Sequence, residues 1–380
     1  MNESENRPAG LSSGLSSGLS SGLPSGEPSG QSSREPFDRP ADQPADQRAD
    51  QRAGPQFGGP AATGTQYVLR HGGAEAIITS LAGALRRYEV EGTALVETYG
   101  PDEIPPSACG IQLCPWPNRV RDGRWTLDGA TQQLDLTEPS RSNASHGLLR
   151  NTAFVPAEQT GRMVVLRGEI HPQHGYPFRL THQVTYTLDD DGALTVHQQL
   201  TNHSGRPAPV AFGAHPFLRI GDVPSEELIL TLRAAARVLS DDRLIPTGMV
   251  SVQGTAEDFR EGRPVGTGLL DAAFTDLEPG EDGRHHHTLS APDGRSVELW
   301  TDPAFGYVHV FFTDRFPGRH RAVAVEPMTA PANALNSGDG LVWIGPGEHL
   351  GAAWGISQHR PPNRSSHLSH DRPHAEEAVH

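Results

Sequence analysis

Lysine is missing from this chain altogether: all 31 basic residues are arginine. With no lysine there is no amine for a Schiff-base aldolase or a pyridoxal enzyme, and none for a P-loop phosphate site, so those reaction classes are excluded. Cysteine is nearly as scarce. Cys109 and Cys114 form no C-x-x-C pair and have no second pair to complete a zinc site, so two reduced thiols in a cytoplasmic protein are expected. No apolar run reaches the roughly 18 residues of a membrane span. The opening Met1-Asn2-Glu3-Ser4-Glu5-Asn6 has no basic stretch leading into an apolar one, so no membrane partner is expected. Positive charge is also in deficit. Against 46 acids the arginines leave a formal net charge of −15, which repels phosphate backbones and provides no basic stripe for nucleic acid. A small molecule is the expected partner.

What is present is a chain of 380 residues, 35% hydrophobic and 20% charged, long enough for a sizeable core once its ends are set aside. Residues 1–60 are of low complexity: Leu11-Ser12-Ser13-Gly14 recurs through Leu23, and Ala41-Asp42-Gln43 is echoed at Ala45 and Ala49. Such composition cannot bury a core. Residues 359–380 read the same way, which leaves residues 61–358 as the expected folded domain. Histidines are frequent in the C-terminal segment (His359, His367, His370, His374, His380) and in Arg284-His285-His286-His287. Both groups are expected on solvated segments, because their irregular spacing lacks the fixed geometry of a metal site.

Between the ends the pattern is short and period-two. Gln66–Arg70, Ala76–Ile78, Arg124–Leu127, Val164–Arg167, Thr181–Thr187, Leu194–Leu200, Leu228–Leu232, Val297–Trp300, Tyr307–Phe312 and Leu341–Ile344 all read as strands. Asp122-Gly123, Asp128-Gly129, Asp191-Gly192 and Asp293-Gly294 mark turns between them. Few windows hold a helical period, so the expectation is all-β, a large antiparallel sandwich of about 300 residues.

Five segments carry chemistry. Glu326 ends the apolar run Ala322-Val323-Ala324-Val325 and precedes Pro327, which is expected to end the strand and fix the carboxylate on a turn, as suits a general base. His146 lies against Gly147, where backbone can approach a ligand closely. His215 leaves an apolar strand between Gly213 and Pro216. Pro115-Trp116-Pro117-Asn118-Arg119 presents an amide and a fork-shaped cation on a stiff segment, suited to neighbouring hydroxyls. Asp271 stands near Phe274, a carboxylate and a ring of the kind that grips sugars.

Taken in order, Asn118-Arg119, His146-Gly147, His215-Pro216-Phe217, Asp271 and Glu326-Pro327 resemble the galactose mutarotase family, the aldose 1-epimerases. His174-Gly175-Tyr176-Pro177-Phe178, Asn336-Ser337-Gly338-Asp339 and Gly345-Pro346-Gly347-Glu348 resemble it too, and the likeness runs from about residue 64 to 357. It implies the supersandwich fold of galactose mutarotase and the interconversion of α and β anomers of a hexose such as glucose or galactose. By that likeness Glu326 takes the proton of the C1 hydroxyl, His215 donates to the ring oxygen, and His146 hydrogen-bonds near it. Asn118, Arg119 and Asp271 hold the other hydroxyls, with Phe217 and Phe274 as stacking surfaces. No metal, nucleotide or redox cofactor is implied, and the protein would act as a monomer or homodimer. A hexose-6-phosphate mutarotase is an alternative that needs further cations, for which Arg121 and Arg219 are the candidates. A non-catalytic sugar-binding protein on the same fold is another. A metal-dependent cupin barrel is disfavoured, since no H-x-H unit occurs at His146, His215 or Glu326.

Overall fold

A computed structural model describes residues 61–360. Residues 1–60 and His367, His370, His374 and His380 of the expected C-terminal tail lie outside the described residues. Strands dominate, and among the described residues the one α-helix is the single turn Ala334–Ser337. No helix is long and apolar enough to cross a membrane among the described residues.

Two antiparallel sheets carry the architecture. One has nine strands in the order Val155–Gln159, Met163–Ile170, Leu180–Leu188, Leu194–Asn202, His349–His359, Ser296–Thr301, His285–Ser290, Ile229–Leu232 and Arg263–Pro264. The other has eight: Pro246–Ser251, Ala234–Ser240, Leu270–Leu277, Tyr307–Thr313, Ala322–Met328, Gly213–Ala214 and Gln112–Leu113 in order, with Phe217–Leu218 also paired to Ala322–Met328. Each has the alternation that buries one face. Leu180–Leu188 and Leu194–Asn202 bury every second residue, and Val184, Tyr186, Leu194 and Val196 meet Phe274, Val308, Val310, Val323 and Val325 in one core.

Every strand expected from the periodicity is present, but three expectations are corrected. The strand bearing Glu326 does not stop there: Ala322–Met328 continues through Pro327. The amides of Val325 and Thr329 donate to Pro216 and Phe212, so the odd positions face the neighbouring chain, which is interrupted between Gly213–Ala214 and Phe217–Leu218. Pro327 is also an odd position, so its missing amide falls on this broken side of the strand and not in the continuous ladder with Tyr307–Thr313. Secondly, His285, His286 and His287 are not on a solvated loop but in a strand: His285 and His287 are buried, and His286 lies 2.9 Å from Asp282 Oδ1 and 3.1 Å from Glu298 Oε1. Finally, the long strand His349–His359 runs one residue past the expected domain end. It joins the two halves of the nine-stranded sheet, and its glycines and alanines hide the alternation.

One crossing of loops shapes the mouth of the eight-stranded sheet. His146 and Gly147 have φ of 62° and 72°, and the segment bridges to Cys114, whose carbonyl accepts from the Leu148 amide at 2.8 Å. A Cβ on Gly147 would stand 1.9 Å from the Cys114 oxygen. Gly147→Ala is therefore expected to cost at least about 2 kcal/mol, through strain at positive φ and displaced backbone, read as a drop of several degrees in thermal midpoint.

Candidate active site

Three neighbouring strands of the eight-stranded sheet turn one face away from the core. On Leu270–Leu277, Asp271 and Ala273 lie on that outer face while Ala272 and Phe274 enter the core. On Tyr307–Thr313 it is His309 and Phe311, and on Ala322–Met328 it is Glu326, Ala324 and Ala322. His309 and Glu326 are register partners, and Asp271 pairs with Phe311. Asp271, His309 and Glu326 are thus fixed in a row by the ladder. His215 enters from the interruption beside Ala322–Met328, its amide donating to Ile111 and its carbonyl accepting from Gly110. From the opposite side, Arg119–Arg121 paired with Asn143–Ser145 brings Asn118, Arg119 and His146 over the row.

These elements enclose a cleft of about 360 Å³. Asn118, Arg119, His146, His215, Asp271 and Glu326, all singled out in the sequence, line it together. Two other candidates do not. Phe274 lies on the opposite face of its strand from Asp271 and packs against Phe259, with ring centroids 5.9 Å apart. Phe217 is fully buried behind His215, stacked on it at 5.3 Å and closed in by Phe316. The ring that reaches the cleft is Phe311.

Glu326 is 2% exposed, and its Oε1 lies 3.3 Å from His215 Nε2. Its Oε2 is buried with no hydrogen-bond partner among the described residues. Burial therefore raises its pKa to about 7, a rise that His309 and Arg119 oppose and Asp271 reinforces. Burial acts on the histidines in the other direction: His215 falls to about 3, and His146, 5.5 Å from His215 between ring centroids, is also depressed.

His309 was not foreseen and proves central. Its Nε2 is 2.9 Å from Asp271 Oδ1 and its Nδ1 is 3.4 Å from Asn118 Nδ2. Burial opposes a charge on this ring, but the carboxylates of Glu326 and Asp271 hold its pKa above the ordinary value. Burial alone would raise Asp271; the bond and charge of His309 bring it down to about 2. A second proton on His309 Nδ1 obliges the Asn118 amide to turn its oxygen to the ring and release Arg119, whose Nη1 donates to that oxygen at 3.1 Å. Arg119 itself is forked onto Glu138 at 2.8 and 3.1 Å, and Glu138 also accepts from Arg141 and Asn143. A polar residue inside the apolar run Tyr307–Phe312, two positions from Phe311, was the available signal for His309.

Because the folded pKa of Glu326 exceeds its unfolded value of about 4.5, the folded chain binds the extra proton between about pH 4.5 and 7. Burying Glu326 therefore costs more as pH rises through that window, and the cost is complete above it. Glu326→Gln is expected to stabilise the fold at pH 8 by on the order of 1–3 kcal/mol, with the gain shrinking toward pH 4.5. Thermal unfolding of both proteins across pH checks this; a gain independent of pH contradicts it.

Known proteins resemble this chain over nearly all of its described length. A sequence model of the aldose 1-epimerase family matches residues 65–357. The uncharacterized Escherichia coli K12 protein YihR is 29% identical over 287 residues, covering 75% of this chain and 91% of that relative. The galactose mutarotase of Rattus norvegicus is 31% identical over 202 residues, covering 48% of this chain and only 56%, little more than half, of that relative. In fold, the chain is similar to a galactose mutarotase-like protein from Clostridium acetobutylicum (TM-score 0.69, 17% identity, 77% of this chain and 95% of that one). It is equally similar to an aldose epimerase homologue from C. elegans (TM-score 0.69, 18% identity, 78% and 98%). With the family model spanning nearly all the described residues and the sheets shared along the length of solved relatives, this chain belongs to the aldose 1-epimerase family of carbohydrate isomerases.

Proposed function

We propose that the protein is a mutarotase, interconverting the α and β anomers of an aldohexose by opening and reclosing the ring. The observation that carries this is the buried contact of 3.3 Å between Glu326 and His215, a base and an acid at the floor of one sugar-sized cleft. Glu326 accepts the proton of the C1 hydroxyl as His215 Nε2 donates one to the ring oxygen, and the bond between C1 and the ring oxygen breaks. Rotation about the C1–C2 bond presents the other face of the aldehyde, and the two proton transfers run in reverse. Asn118, Arg119 and Asp271 hold hydroxyls, and His146 stands beside His215 near the ring oxygen. Orientation then supplies part of the rate.

The pKa directions add one condition. Burial leaves the single proton of the free pair on Glu326 at neutral pH rather than on His215. Shifting it across the 3.3 Å contact converts carboxylic acid and imidazole into carboxylate and imidazolium, the form that ring opening requires. The active pair holds one proton in either form, so its titration belongs to the couple. His309, Asp271, Arg119 and His146 face it and set its two macroscopic steps.

The purified protein is expected to accelerate the polarimetric decay of a fresh α-aldose. No acceleration with any of several aldoses and their 6-phosphates contradicts the reading. Glu326→Gln is expected to lower kcat by about 10²–10⁴-fold while sugar binding stays within about tenfold. In kcat/KM, activity should fall as pH rises above about 7, when the pair loses its last proton, and stay level from there down to about pH 4. A rise in activity from pH 7 to 9 would assign the base elsewhere.

A further inference from the structure

The cleft has more positive charge than its carboxylates use. Of its three acids, Glu138 is occupied by Arg119 and Arg141, Asp271 by His309, and Glu326 is sealed against His215 at the floor. Two further guanidiniums line the same cleft, Arg150 and Arg315. Neither side chain has an ion pair or hydrogen bond among the described residues, whereas the candidates chosen from sequence do: Arg121 is bound to Asp241 at 2.7 Å and Arg219 lies 3.3 Å from the buried Glu97. Arg150 is half-buried beside His146, and this desolvation lowers its pKa, with only the already engaged Glu138 acting against it. Arg315 is exposed at the mouth, just beyond the strand that bears His309.

A partly desolvated guanidinium with five donors and no acceptor is a costly arrangement, and in a chain of net charge −15 spare carboxylates are plentiful. The acceptor is supplied most simply by the ligand. Since C1 and the ring oxygen must reach Glu326 and His215 at the floor, a group meeting Arg150 on the wall and Arg315 at the mouth lies elsewhere on the sugar. We infer that the preferred substrate is an aldose bearing a fixed anionic group away from C1, a phosphate, sulfate or carboxylate, gripped by Arg150 and Arg315. This rests on the mutarotase reading and gives it a substrate class.

The test uses exchange between anomeric proton signals in NMR, with the full chain, on glucose, galactose, glucose 6-phosphate, glucose 6-sulfate and glucuronate. At low salt at least one anionic sugar should have kcat/KM tenfold or more above both neutral ones, and which one distinguishes the anion. Added salt should shrink that ratio. In Arg150→Gln combined with Arg315→Gln the ratio should fall at least tenfold. Neutral sugars turned over as well as every anionic one, or a ratio unmoved in the double variant, overturns the inference. Calorimetric binding of the same sugars to Glu326→Gln reads the anion preference without turnover. An anion preference there with no catalysis in the parent protein would sink the mutarotase reading alone, and equal binding of charged and neutral sugars would sink the inference alone.

Discussion

The constraint on which this site depends is the burial of one carboxylate. Glu326 sits inside a sheet, flanked by a strand on each side, with one oxygen against His215 and the other without a donor among the described residues. A charge so placed is expensive, and the surroundings reduce the cost only in part. Asp271, close enough to raise it further, has its own charge tied to His309, and Glu138 has its charge tied to Arg119. These two closed ion pairs keep the other acids of the cleft ionised while Glu326 stays near its point of titration. A group poised near neutrality can both take and return a proton within one catalytic cycle.

Precision comes from using the same backbone twice. The strands that place Asp271, His309 and Glu326 outward place Phe274, Val308, Val310 and Val325 inward, so moving an acid means disturbing the core. His215 needs different treatment, because a ring pointing at Glu326 cannot come from an uninterrupted ladder. The break between Gly213–Ala214 and Phe217–Leu218 supplies it, Pro327 puts its missing amide on the same broken side, and Phe217 backs the imidazole from beneath. Three features that looked local in sequence are one device.

Much of this was legible in the sequence, and the exceptions have causes. Period-two patterning located the strands because each sheet buries one face. Glu326, His215 and His146 stood out because glycine or proline beside a polar residue marks unusual backbone. What one sequence conceals is facing. Phe274 was paired with Asp271 by proximity along the chain, yet an offset of three residues on a strand puts them on opposite faces. Phe217 is a related case: its neighbour His215 has the cleft, and it has the layer behind. His309 is concealed because Tyr307–Phe312 reads as a core strand, and only its pairing with Glu326 and its bond to Asp271 place it in the cleft. Arg150 and Arg315 are indistinguishable in sequence from other arginines; what sets them apart is that their side chains have no partner among the described residues.

The missing lysines return here as a property of the cleft. Apart from its histidines, its cations are arginines, a side-chain type that stays protonated throughout the range in which proteins fold, so that part of the positive field does not vary with pH. Asp271 and Glu138 are both held below the ordinary carboxylate range and are equally constant near neutrality. Titration is thereby confined to Glu326 and the three histidines, His146, His215 and His309, and two of those rings are depressed by burial. What remains mobile near neutral pH is the proton of the Glu326–His215 pair, adjusted by the charge on His309. A site built this way keeps its arginine charges fixed while the protonation of Glu326, His215 and His309 changes, so its response to pH is routed through those three groups.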